Sequence, residues 1–382
     1  MRKNLGVLLV GMLVNMGIGL IMPITTLYLH NQLQQKLVIA GNVLLAFSLA
    51  MVLGNLLGGW LFDNWRIKQT HYLGGAIVGL NLLLLFLFPL WPWYALFATG
   101  YGWGLGILNS AVNGYIALCQ KHTPNLFTQE YWLANLGMGL ATFLSGVLYA
   151  VNIRWVFGVA FLLFLLALII IKVVFQEIKP AVDQANSKFS WRQFALLPLK
   201  FWFICCLLVI IWLGYEQWNS NVSVYMLQKG ISVQKYSFLF TISTCEIVLF
   251  QPLLGIFFRP TFKNEKWRIL LGSGFFAVSY LSLLHATVYP QFVLGITLLS
   301  LGDILTLTTT PATLNRFATD QNRATIQALG STAGSLGRAV GPLFGGALIE
   351  LSGFDLTFLI LFAVHLLMVL LGSFILRTKS DR

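Results

Sequence analysis

The sequence predicts an all-α membrane protein with twelve transmembrane helices in two pseudo-symmetric six-helix bundles. Three observations lead there. Hydrophobic residues make up 58% of the 382 positions and charged residues only 9%, whereas a soluble domain carries roughly 25% charged residues. Apolar runs of bilayer-crossing length, about 20 residues each, recur along the whole chain. Lys and Arg collect in alternate breaks between those runs, as expected of a chain threaded back and forth through a membrane.

The first run, 5–29, follows a basic start and has the outline of a secretion signal. No small-residue cleavage site follows it, and the run continues through MPITTLYL, so it is read as a retained helix. Spans at 37–62, 71–90, 92–118, 127–150 and 154–176 complete the first half, the third and fourth parted only by the turn FPLWPW. The longest polar break, QEIKPAVDQANSKFSWRQF, follows span six and holds Pro180; residues 177–198 are read as a cytoplasmic linker between an N-terminal bundle, 1–176, and a C-terminal bundle, 199–382. The second half repeats the pattern at 199–227, 234–258, 267–287, 290–315, 324–350 and 355–376, with TVYPQ between spans nine and ten.

With the amino terminus inside, 19 Lys and Arg fall on the inner side and four (Lys36, Arg154, Lys229, Lys235) on the outer side, with Arg338 inside a span. This asymmetry puts both termini in the cytoplasm. It also explains the net charge of +12 as topology, which removes the case for a nucleic-acid partner. Short loops and compact length suit a bacterial plasma membrane. The four cysteines (Cys119, Cys205, Cys206, Cys245) lie in or beside apolar runs without metal-ligand spacing and are read as buried thiols, so no metal or other cofactor is expected.

An offset of 197 to 200 residues brings the halves into register: Tyr28 with Tyr225, Gly58 with Gly255, Gly137 with Gly337, Gly146 with Gly346. Duplicated bundles of this kind place a substrate site at the midplane and work by rocking one half against the other.

In span eleven, GSLGRAVGPLFGG resembles the Gly-x-x-x-Gly-Pro-x-x-Gly-Gly antiporter motif of the major facilitator superfamily through Gly337, Gly341, Pro342, Gly345 and Gly346. Span five keeps Gly137 and Gly146 but has Ala141 and Thr142 in place of Gly-Pro. After span two, GGWLFDNWRIK resembles the family's loop signature through Gly59, Leu61, Asp63 and Lys68, with Arg66 where a glycine is expected. Span ten and its exit, SLGDILTLTTTPATLNRF, are similar to the glycine-acid and later proline pattern of the bacterial drug:proton antiporter branch. The resemblance covers essentially the whole chain. It implies a monomeric carrier, not an enzyme, that exports lipophilic or cationic drug-like compounds in exchange for protons by alternating access, with Gly59, Asp63, Arg66, Lys68, Gly337, Gly341, Pro342 and Gly345 in gating.

The residues themselves add a chemistry. Glu216, Glu246, Asp303 and Arg338 fall near the centres of predicted spans, all in the second half. A charged side chain at that depth costs at least about 2.5 kcal/mol on insertion scales, so these four are the expected proton-coupling groups. The first half offers neutral Asn15, Asn109 and Asn113, which join Tyr215, Trp218 and Asn219 as expected substrate contacts. Glu216, Asn219, Ser220 and Ser223 share one helical face, as do Asp303, Thr306, Thr310 and Thr313, so each acid heads a polar stripe expected to line a cavity. Arg338 is expected to neutralise Asp303 or Glu246. His365 is expected to hydrogen-bond between helices. Two other classes remain open at this point: a proton-coupled or facilitative carrier of a sugar, metabolite or lipid, and a membrane-embedded enzyme, against which the five scattered histidines weigh.

Overall fold

In the computed structural model, residues 2–120, 126–176, 197–257, 264–317 and 323–376 are described. The linker read at 177–198 lies outside them apart from its last two positions. Every regular element among the described residues is helical. The first half holds α1 (Arg2–Leu27), α2 (Leu37–Asn64), α3 (Ile67–Leu87), α4 (Trp93–Gln120), α5 (Leu126–Val151) and α6 (Ile153–Val174). The second holds α7 (Leu199–Asn219), α8 (Asn221–Gln228), α9 (Val233–Phe257), α10 (Glu265–Leu281), α11 (Tyr289–Leu307), α12 (Thr310–Asn315) and α13 (Arg323–Ile375). Eight stretches of the described residues have the length and hydropathy to cross a membrane. One of them, 329–375, takes in both spans read at 324–350 and 355–376, which part at Gly353, a residue held at φ 79° in the left-handed region that favours glycine.

The chain forms two compact units, Met1–Asp183 with Asn219–Thr244, and Gln184–Trp218 with Cys245–Arg382. This division differs from the one drawn at the linker. In the first unit α1 packs on α5 and α6, α2 on α4, and α3 on α4 and α6. These contacts run through glycines, which let backbones approach where a side chain would hold them apart: a Cβ at Gly58 would lie 2.7 Å from the Ile107 Cα. Residues 219–244 join this unit because α8 packs on α1 and the first half of α9 packs onto α5 in the same way. Gly139 lies under Thr244, Gly146 lies under Ser237, and Phe143 meets Phe238 edge-on with ring centroids 6.0 Å apart.

The duplication read from the sequence recurs as a contact. In the first unit a Cβ on Gly137 would meet the Met12 Cγ at 2.8 Å; in the second, one on Gly337 would meet the Trp212 Cβ at 3.0 Å, both partners 200 residues further along.

Span ten is broken between α11 and α12, and its sequence gives the reason. Pro311 brings no amide hydrogen to the ladder, and the preceding threonines bond back to their own helix. Thr308 donates to the Ile304 carbonyl, Thr309 to Leu305 at 2.7 Å, and Thr310 to Thr306 at 2.6 Å. Arg268 on α10 then fastens the break, donating from Nε to Thr309 Oγ1 at 2.6 Å and from Nη2 to Thr308 Oγ1 at 3.0 Å. Glu265 holds the segment beyond it, accepting from Arg316 Nη2 at 2.6 Å and from Thr313 at 3.1 Å. Arg268, counted on the inner side in the charge tally, is buried, at 4% exposure. Arg268→Met is expected to lower stability by about 1.5 kcal/mol, the low end for a hydrogen bond to a charged group, measured as the thermal midpoint of the purified protein.

The thiols also depart from expectation. Cys119 and Cys205 are buried, but Cys206 and Cys245 are exposed.

Candidate functional site

The four charged residues expected to couple protons all lie in the second unit, and α7 and α13 bring two of them together. Along α13, Gly334, Gly337 and Gly341 face α7. A Cβ on Gly334 would sit 2.9 Å from the Trp212 Cδ1, one on Gly337 would run into the Val209 carbonyl oxygen, and one on Gly341 would lie 3.0 Å from the Glu216 Cβ. Gln217 seals the contact, its amide nitrogen donating to the Leu213 carbonyl at 2.9 Å and to the Gly341 carbonyl at 2.7 Å. Pro342 lies inside α13 and has no amide hydrogen to return to the Arg338 carbonyl one turn earlier. The glycines of the span-eleven motif therefore serve a backbone-close seam with α7, and Gly345 is buried in the same helix.

This seam places Arg338 over Trp212, its guanidinium carbon 4.1 Å from the ring centroid, with Glu216 and Tyr215 as its electrostatic neighbours. The expectation that Arg338 neutralises Asp303 or Glu246 is corrected: the acid beside it is Glu216, since the two share the α7–α13 seam. Tyr215 is half-buried and its ring lies 5.3 Å from that of Trp212. Trp218 is fully buried, its ring edge 2.8 Å from where a Gly295 Cβ would stand.

Glu246 and Asp303 are arranged differently. Glu246 Oε1 accepts from Thr297 Oγ1 at 2.5 Å, while its Oε2 is buried without a partner among the described residues. Asp303 is half-buried and makes neither a hydrogen bond nor an ion pair among them. Arg338, by contrast, is exposed.

The polar stripes are corrected, because both assumed an unbroken helix. Ser220 breaks the ladder between α7 and α8 at φ −120° and ψ −73°, and Ser223 donates back to the Ser220 carbonyl at 2.6 Å. Asn219 is half-buried at the end of α7. In span ten, Thr306 and Thr310 are buried and Thr313 is taken by Glu265, which leaves Asp303 alone on its stripe. His365, expected to bridge helices, bonds through Nδ1 to its own Leu361 carbonyl at 2.8 Å and stacks on Phe276.

In the first unit, Asn113 donates to Asn109 Oδ1 at 3.5 Å along α4, and Asn15 donates to the Gly11 carbonyl at 2.9 Å along α1. Of the expected gating residues, Gly59 faces Ser110, whose Oγ would be 3.3 Å from its Cβ; Arg66 is the extended cap residue of α3; and Lys68 donates to the Lys172 carbonyl at 3.3 Å. The side chain of Asp63 lies outside the described residues. Two residues were missed by sequence reasoning. Arg268 looked like any basic residue at a span boundary. Glu130 looked like an acid at a helix start, yet it lies against Gly11 of α1, its Cγ and Oε1 each 3.1 Å from the Cβ position. The first half is therefore not without an acid inside its bundle.

The chain matches the family model described as Major Facilitator Superfamily at residues 7–287 and 219–382. It is 30% identical over 390 residues to the uncharacterized MFS-type transporter YttB of Bacillus subtilis (strain 168), covering 99% of this chain and 96% of that one. Among solved structures, the fold is like that of nucleoside transporter NupG, with TM-score 0.78 at 15% identity over 99% of this chain and 100% of that one. It is also like that of an auto-inhibited POT family peptide transporter, with TM-score 0.79 at 15% identity over 99% and 97%. All-helical, rich in membrane-crossing segments and matched from end to end, the chain belongs to the Major Facilitator Superfamily and is an integral membrane transporter of that type, with a small molecule as its substrate.

Proposed function

We propose that this transporter is a proton-coupled exporter of lipophilic, cationic compounds that works by alternating access. Its twelve spans form two six-helix halves in a bacterial plasma membrane with both termini in the cytoplasm, and the monomer is the working unit. The observation that carries this reading is the state of the acids in the second unit. Glu216 has a cation beside it, whereas Glu246 keeps one carboxylate oxygen orphaned and Asp303 has no partner among the described residues. An orphaned buried oxygen is costly, more so when charged, and either a proton or a cationic cargo removes that cost. The two ligands exclude each other at one carboxylate, and that exclusion is the coupling. Asn15, Asn109, Asn113, Tyr215 and Asn219 are the cargo contacts, with Tyr215 offering an aromatic face to a cation, while Trp218, buried against Gly295, drops out of the expected set. Gly59, Asp63, Arg66 and Lys68 act at the inner gate, and the α7–α13 seam of Gly337, Gly341, Pro342 and Gly345 is the surface that shifts.

Efflux of a panel of fluorescent lipophilic cations from cells making the protein tests the reading. Efflux is expected to exceed that of cells without the protein and to collapse when a protonophore dissipates the gradient. Efflux that survives the protonophore would leave a facilitative carrier in its place.

A further inference from the structure

Glu130 is a half-buried acid for which the proton-coupling reading has no use. We infer that it forms, with Asn15 and the bare face of Gly11, a second cation site in the first unit, one that takes a protonated amine carried on an apolar body. The inference rests on the reading of the chain as a cation carrier and names where the first unit holds the charge.

Four observations meet there. Glu130 is the fifth residue of α5, inside the helix, and it makes neither a hydrogen bond nor an ion pair among the described residues. Its carboxylate lies against α1 because Gly11 has no side chain: a Cβ at that position would stand 3.1 Å from both Cγ and Oε1 of Glu130. Asn15, one turn further along α1, gives an amide hydrogen to the Gly11 carbonyl at 2.9 Å. A carbonyl only accepts, so this bond fixes the amide with its nitrogen toward Gly11 and leaves Oδ1, an acceptor, without a hydrogen bond among the described residues. Met12 and Met16 lie on the same stretch of α1, their Cγ atoms 2.8 and 3.0 Å from where a Gly137 Cβ would stand.

The chemistry of that set is one-sided. A carboxylate and an amide oxygen flank one glycine, and both accept. The ligand they match donates hydrogen bonds and carries positive charge, which describes an alkylammonium or a protonated arylamine. Anions and neutral acceptors find no free donor there among the described residues. The two methionines are flexible and polarisable, suited to apolar bodies of varied shape. Glu130 also lies close to the start of α5, the end that the charge asymmetry puts on the cytoplasmic side, where a cation leaving the cytoplasm would enter the first unit.

The test uses the full-length protein in lipid nanodiscs and rhodamine 6G, a lipophilic cation with N–H donors, whose binding is read by fluorescence polarisation. Wild type is expected to bind, and Glu130→Gln is expected to weaken binding about tenfold, the loss of one charge-assisted contact. Glu130→Asp, which keeps the charge, is expected to stay within about threefold of wild type. Gly11→Ala keeps the carboxylate but pushes it off α1 and is also expected to weaken binding. The thermal midpoint of each variant, measured without the dye, separates folding from binding. Glu130→Gln binding the dye as wild type does, at an unchanged midpoint, would overturn the inference and leave the exporter reading intact. Wild type binding no cation at all would overturn both.

Discussion

Glu246→Gln is expected to slow pH-driven transport about tenfold or more while substrate exchange persists. The side chain is held by one bond, from Thr297 Oγ1 to Oε1 at 2.5 Å, and its other oxygen is buried without a donor among the described residues. Glutamine has the same shape, so its amide oxygen still accepts from Thr297 and the packing around α9 and α11 is preserved. What it lacks is an exchangeable proton. In proteoliposomes with an imposed pH gradient, the initial rate of rhodamine 6G transport is expected to fall about tenfold or more, equivalent to at least about 1.4 kcal/mol of lost coupling. Counterflow, which needs no net proton movement, is expected to continue at a raised half-saturating concentration, because Asp303 still offers the cation a carboxylate. Thr297→Val provides an independent check, because it removes the donor that orients the carboxyl and leaves the acid in place. It is expected to slow pH-driven transport without uncoupling it. Full pH-driven transport by Glu246→Gln would move proton coupling away from this residue.

The second large effect concerns Arg338. Arg338 is exposed whereas Glu216 is buried, so their attraction is screened from one side and is worth about 1 kcal/mol, the upper figure for an exposed pair. Arg338→Gln also forfeits the stacking on Trp212 at 4.1 Å. A loss of about 1 to 2 kcal/mol in unfolding free energy is therefore expected, with transport lost in parallel. Glu216→Gln combined with Arg338→Gln is expected to be more stable than Arg338→Gln alone, since the stranded carboxylate has gone. Strictly additive losses in this double-mutant cycle would show that the two side chains do not interact.

The sequence carried the membrane class, because it depends on residue type and spacing, and one trace of internal repetition. Gly137 and Gly337 are that trace: paired by offset, they pack onto α1 and α7 at positions that are themselves 200 residues apart. Partnership was less legible. Which acid Arg338 faces depends on how α13 rotates against α7, and the glycines that set this contact also fit a lipid-facing or static seam. The polar stripes failed for a local reason. Both crossed helix breaks, at Ser220 and at Thr308–Thr309, where hydroxyls turned back to their own carbonyls and the 3.6-residue repeat no longer applied. Glu130 escaped notice because its meaning lies in Gly11, 119 positions earlier, and a missing side chain leaves no signal in a search for polar groups.

Competition between proton and cargo at the acids of the second unit is tested most directly by counting protons on binding. Tetraphenylphosphonium has no titratable group, so any proton that appears in a weakly buffered solution when it is added must come from the protein. Wild type is expected to release protons in proportion to the cation bound, and the Glu246→Gln, Asp303→Asn double variant to release none. Saturable binding of tetraphenylphosphonium to wild type with no change in solution pH would contradict the mechanism.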